Sequence, residues 1–204
     1  MARNFMCTKT DPVVETKAGK LRGFQLDGTY AFHGVKYADA KRFHQPTPVE
    51  PWEGIKNALA YGYVCPMLQQ DQPSNELMVP HRYWPLDENC QYLNIWTQHL
   101  DPNAKKPVLV WLHGGGFAAG SSIEHIAYEG GNMSKYGDVV VISLNHRLNI
   151  LAISTFPRSA RNIRIPATPA TPIWSQLCSG FTKISQTSAA TRKTSRCSAS
   201  PAAV

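Results

Sequence analysis

Lys106–Ser121 reads KPVLVWLHGGGFAAGS, an apolar run that ends in three consecutive glycines. Apolar residues in unbroken succession, without polar alternation, fit a strand covered on both faces, as parallel strands inside an α/β sheet are. DVVVISLNHR at 138–147 is a second run of this kind. IEHIAYEGGNMSKYG, at 123–137 between the two, is short for a crossover helix but long enough to connect parallel neighbours, with Gly130, Gly131 and Gly137 as breakers. The glycine run after the first strand lets backbone approach a ligand and turns successive N–H groups toward one space. Acyl transfer needs such donors where charge develops on a carbonyl oxygen. A plain glycine-rich turn would look the same if the glycines stood alone.

Upstream, TKAGKLRGFQLDGTYAFHGVKYA at 16–38 has short β-type runs punctuated by Gly23, Gly28 and Gly34, the signature of small antiparallel hairpins. RFHQPTPVEPW at 42–52 is a proline-set extended connector, and CQYLNIWTQ at 90–98 reads as an alternating strand. Residues 1–11 are expected to be a flexible N-terminus, and they contain no apolar core of a signal peptide, so the expected location is cytoplasmic. No run of 18 apolar residues is present to span a bilayer. Five cysteines without a C-x-x-C pair point away from zinc and thioredoxin chemistry, and no cofactor is implied.

The net charge of +7 would ordinarily direct attention to nucleic acid. Its location argues otherwise. Residues 1–151 hold fourteen basic and fourteen acidic side chains, whereas 152–204 hold seven basic ones and no acid. Ser, Thr, Ala and Pro dominate that tail, and neither strand nor helix periodicity persists in it, so 152–204 are expected to be disordered. Phe156, Trp174 and Phe181 are scattered through it without the interleaved stacking pattern of single-strand binders, and no nucleic-acid partner is expected.

His-Gly-Gly-Gly-Phe directly after an apolar strand is a narrower signal, known for the oxyanion loop of α/β-hydrolase esterases. Here the chain resembles the type-B carboxylesterase family, which includes cholinesterases and para-nitrobenzyl esterases. GKLRGF at 19–24, AFHGVKYA at 31–38 and RFHQPTPVEPW are similar to the family's amino-terminal pattern. ENCQYLNIW at 88–96 is similar to its E-D-C-L-Y-L-N-[IV]-W signature, with Asn89 and Gln91 departing from it. DVVVISLNHRLNILA resembles its V-V-V-x-x-N-Y-R-L-G stretch, with His146 at the usual tyrosine. The resemblance covers 12–151 and implies the amino-terminal part of an α/β-hydrolase fold: a small antiparallel sheet plus the first strands of the central sheet.

It also implies roles. Gly115 and Gly116 match the two amide donors of the oxyanion hole, Gly114 sets the turn, and Phe117 matches a residue lining the acyl pocket. His113 matches a loop-positioning residue rather than a base. Cys65 and Cys90 match a disulfide pair, worth about 3 kcal/mol if oxidised, and equally stand as buried thiols. Arg42 and Glu88 match an ion pair. A small carboxylic ester would be the substrate. A non-catalytic adhesion module of the cholinesterase type is the alternative, although such modules keep the complete fold.

The family's nucleophile elbow, G-x-S-x-G, occurs nowhere in the 204 residues. One consistent offset of reading frame recovers it. In the frame one nucleotide earlier, each codon joins a wobble base to the first two bases of the next residue. Synonymous codons for CSASPAAV at 197–204 then regroup to Phe-Gly-Gln-Ser-Gly-Gly-Gly. The same shift permits Asp-Pro-Glu-Asn-Val-Thr under TRKTSR at 191–196 and Gly-Tyr-Leu-Asp-Leu-Ser under AISTFP at 152–157. The expectation is a single-base deletion, or an equivalent sequencing error, near Leu151/Ala152. The triad would then be absent from the translated chain, which would be truncated in its family text, poorly soluble and catalytically dead.

Overall fold

The computed structural model describes residues 3–44, 46–67, 82–152 and 196–199, the last four as backbone. Ten strands and one helix form two sheets among these residues. The smaller sheet joins β2 (Val13–Thr16), β3 (Gly19–Arg22) and β6 (Ile55–Asn57) in the order β2-β3-β6. The larger is ordered β1-β4-β5-β7-β9-β8-β10, from β1 (Phe5–Met6), β4 (Phe24–Leu26), β5 (Thr29–Lys36), β7 (Tyr92–Thr97), β8 (Val108–Leu112), β9 (Val140–Leu144) and β10 (Arg196–Ala199).

The two apolar runs pair as expected. β8 and β9 are parallel, Val108 opposite Val140 and Leu112 opposite Leu144. Their connection contains a single α-helix, α1 (Gly131–Gly137), preceded by a 3-10 turn at Ile126–Tyr128. Gly130 caps α1, while Gly131 and Gly137 lie within it, so only the first of the three expected breakers stands outside the helix. The close approach of α1 to the sheet explains that glycine: a Cβ on Gly130 would run into the side chains of Val141 and Trp96.

Alternate residues of β9 feed opposite faces. Val140, Ile142 and Leu144 join Val108, Val110, Leu112, Leu93, Ile95 and Phe32 in the main core, whereas Val141 packs with Ala31 and Trp96 on the other side. Burying each such aliphatic side chain contributes about 1.5–3 kcal/mol, so sheet sequences covered on both sides stay apolar throughout. β7 follows the same rule, which corrects its expected alternation. Five of its six residues are buried, including the polar Asn94 and Thr97. Asn94 is tolerated because it is satisfied: its amide reaches Ser143 Oγ at 3.3 Å and Ser122 Oγ at 3.4 Å, and its oxygen accepts the Gly34 N–H at 3.0 Å. That last bond ties down the irregularity in β5, where pairing with β7 shifts between Phe32 and Val35.

Two terminal segments differ from expectation. Phe5–Met6, within the stretch expected to be flexible, pair antiparallel with β4. Arg196–Ala199, within the stretch expected to be disordered, lie parallel to β8, with Arg196 opposite Leu109 and Ala199 opposite Leu112. The rest of that expectation, at 153–195 and 200–204, lies outside the described residues.

Candidate active site

β8 delivers the chain directly into His113 and the glycine turn. Gly115 and Gly116 adopt φ of 114° and 60°, backbone that glycine enters without a Cβ penalty. They differ in what surrounds them. A Cβ on Gly115 would collide with the Ala119 carbonyl, whereas one on Gly116 meets nothing within 4 Å. The turn closes through the Gly115 carbonyl, which accepts from the N–H groups of Ala118 and Ala119 at 3.0 and 3.1 Å. Among the described residues no acceptor takes the N–H of Gly115 or of Gly116, and both residues are exposed. Two adjacent donors held open by a constrained turn suit an oxygen that gains negative charge. Phe117 follows at φ 60°, its ring 37% exposed beside them.

His113 is committed elsewhere. It is buried, and its Nδ1–H donates to the Gly114 carbonyl at 2.8 Å. Burial is the main cause that lowers its pKa below the usual imidazole value. A neutral ring tied to the backbone holds a loop in place; it does not relay protons.

The segment Asn145–Asn149 lies behind the turn and was not singled out as a unit in the sequence. Asn145 Oδ1 accepts the Ser122 N–H at 2.8 Å, and its amide donates to the Tyr63 carbonyl at 3.1 Å. His146 packs on His113 with ring centroids 4.7 Å apart and meets Phe117 edge-on at 6.3 Å. Arg147 donates to the Lys41 carbonyl at 3.3 Å and the Leu148 N–H to Cys65 Sγ at 3.1 Å. The Asn149 N–H donates to the Phe117 carbonyl at 2.8 Å. One pentapeptide therefore grips the glycine loop at both ends. Its signals in the sequence were a density of polar residues directly after a buried apolar strand and the likeness of the stretch to the family's N-Y-R-L-G text.

The other expected residues lie away from the turn. Cys65 and Cys90 are buried free thiols packed with Leu148. The neighbouring Cys65 sulfur, together with burial, holds the Cys90 thiol well above its ordinary pKa. Arg42 and Glu88 form an ion pair, Arg42 Nε standing 2.8 Å from both carboxylate oxygens; the guanidinium beside it holds Glu88 below the ordinary carboxylate range. Asn89, a departure from the family pattern, donates to Asp39 at 3.0 Å, a contact that an aspartate would turn into repulsion. Among the described residues no group of His, Cys, Asp and Glu could hold a metal ion, and no helix is long and apolar enough to cross a membrane.

A sequence model of the carboxylesterase family matches residues 10–160. The para-nitrobenzyl esterase of Bacillus subtilis (strain 168) is 36% identical over 155 residues, 72% of this chain and 30% of that protein. The phenmedipham hydrolase of Pseudarthrobacter oxydans is 40% identical over 148 residues, 70% of this chain and 29% of that protein. An esterase of Clostridium hathewayi, described as hydrolysing aliphatic aromatic polyesters, superposes with a TM-score of 0.88 at 49% identity, over 97% of this chain and 39% of that one. The chain thus spans about 30% of the length of the curated relatives it matches.

Proposed function

Because the chain belongs to the carboxylesterase family, we propose that its glycine turn is the oxyanion hole of a serine esterase acting on small carboxylic esters, and that the polypeptide as translated does not turn over. The α/β-hydrolase architecture is that of its structural relatives. Residues 12–151 are the partial hydrolase domain and 152–204 an out-of-frame extension. The unspent N–H groups of Gly115 and Gly116 carry the assignment. Gly114 shapes the turn, and Phe117 borders the acyl group.

In the reaction, a serine oxygen bonds to the ester carbonyl carbon as its proton passes to a base, and the carbonyl electron pair moves onto the oxygen facing Gly115 and Gly116. Collapse expels the alcohol, and water then releases the acid from the acyl-enzyme. Removing one such donor typically costs about 10²–10³ in rate.

One observation supports a nucleophile in the other frame: the family match stops at residue 160, soon after the point where the family-like text ends. The codons that follow β10, from 200 onward, are those whose shifted triplets spell the elbow serine.

The test is to sequence the gene across codons 148–155 and past codon 204, then to insert one base at the Leu151/Ala152 boundary and read on in the earlier frame. Hydrolysis of a para-nitrophenyl ester, blocked by a serine-directed organophosphate, is expected of the restored polypeptide alone. Organophosphate-sensitive turnover by the pure 204-residue chain, or gene sequence that fails to spell the elbow, overturns the proposal.

A further inference from the structure

The imidazole of His146 is almost fully buried, yet its Nδ1 has no hydrogen-bond partner. An unpaired polar atom in such a place costs about 1–3 kcal/mol, which an apolar ring of similar size would avoid. The ring also sits at the centre of the segment that grips the glycine loop. Asn145 holds the chain beyond the loop through Ser122, Asn149 holds Phe117, and between them His146 lies against the face of His113. His113 in turn holds the Gly114 carbonyl, which shares its planar peptide unit with the open Gly115 amide. The far wall is equally tight: a Cβ on Gly120 would come within 2.5 Å of the Gly114 oxygen and 2.8 Å of His113 Nδ1. The His113 ring is therefore confined between His146 and the returning backbone.

We propose that His146 is a positioning residue of the oxyanion loop, which fixes the rotamer and Nδ1–H tautomer of His113 by ring contact and thereby aims the Gly115 and Gly116 amides. The contact works through the ring, whose Nδ1 bonds to nothing. The two imidazoles meet tilted at 35°, and a proton on one disfavours a proton on the other. The His113 ring donates to Gly114 through its Nδ1–H. This role rests on the reading of the Gly115 and Gly116 amides as the working groups.

The test reads loop geometry in the 204-residue protein by NMR, without turnover, so its failure and that of the esterase proposal are distinguishable. His146→Phe keeps a ring and removes the unpaired nitrogen; His146→Leu keeps apolar volume and removes the ring. His146→Phe is expected to preserve the Nδ1–H tautomer of His113 and the amide resonances of Gly115 and Gly116. His146→Leu is expected to fold with an unchanged or higher melting temperature, yet to lose the single His113 tautomer and to shift both amides, leaving the distant Gly28 and Gly54 in place. Unmoved Gly115 and Gly116 resonances in His146→Leu overturn the proposal. So do equal changes in the two variants, or a general loss of folding in His146→Leu, which would make the residue a structural one.

Discussion

Residues 106–151 and 152–204 are joined at a single peptide bond and obey different rules. In the first, every level agrees: apolar runs make parallel strands, the strands end at a glycine turn, and a polar pentapeptide holds that turn. In the second, the side chains follow no pattern, yet four residues still add to the sheet in register with β8. Parallel pairing asks only for backbone N–H and C=O groups, and a strand edge will take them from almost any sequence. Chemistry asks for one particular side chain at one position. Extending a sheet and supplying a reactive side chain are therefore separate demands on a sequence.

The strongest way to break this contrast is to remove it. Restoring the earlier frame after Leu151 is expected to raise ester turnover by something on the order of 10⁶, the usual cost of losing a serine nucleophile; initial rates on a para-nitrophenyl ester measure it. The next largest effect sharpens the contrast inside the ordered half. In the frame-restored enzyme, Gly115→Ala is expected to lower kcat about 10²–10³-fold, because its Cβ has no room beside the Ala119 carbonyl and the donor must move. Gly116→Ala, with open space around it, should cost only about 1 kcal/mol of backbone strain. Comparable losses in the two variants would show that the turn does not discriminate between them.

Acid provides a third, gentler probe. Burial lowers the pKa of His146 to about 3 and that of His33 to about 4, from an ordinary 6.5, and lowers that of His113 as well. The unfolded chain takes up these protons first. Stability is therefore whole above pH 6.5 and declines as pH falls toward the folded values, by about 1.4 kcal/mol per pH unit for His146 alone. Urea midpoints at successive pH values should fall accordingly, and His146→Phe should flatten the decline. The smallest expected effect belongs to Arg42→Ala. Arg42 is itself exposed, its partner Glu88 is a half-buried carboxylate already ionised at neutral pH, and the urea midpoint should not move measurably.

How far the sequence could be read follows from the range of each interaction. β8 and β9 were legible because a strand buried on both faces writes its environment into consecutive residues. β7 misled because polar Asn94 and Thr97, on opposite faces of the strand, interrupt its apolar residues, and only the tertiary bonds to Gly34, Ser122 and Ser143 reveal that Asn94 points into protein. The glycine turn was legible through its motif. The segment behind it was legible as family-like text but its grip on the turn was not, because Asn145 and Asn149 meet Ser122 and Phe117 across more than twenty residues of chain and leave no periodic trace. β10 had no side-chain signal at all, since Arg-Cys-Ser-Ala carries neither alternation nor an apolar run.

The bonds of Asn145–Asn149 bear on how this part of the molecule comes undone. Ser122, Asn145, Leu148 and Asn149 each give their N–H to an acceptor that depends on the pentapeptide staying in place, so none of these amides can be released singly. Deuterium should enter all four at one common rate, governed by a single opening event. The glycine loop then behaves as one half of a latch, closed as a whole or released as a whole.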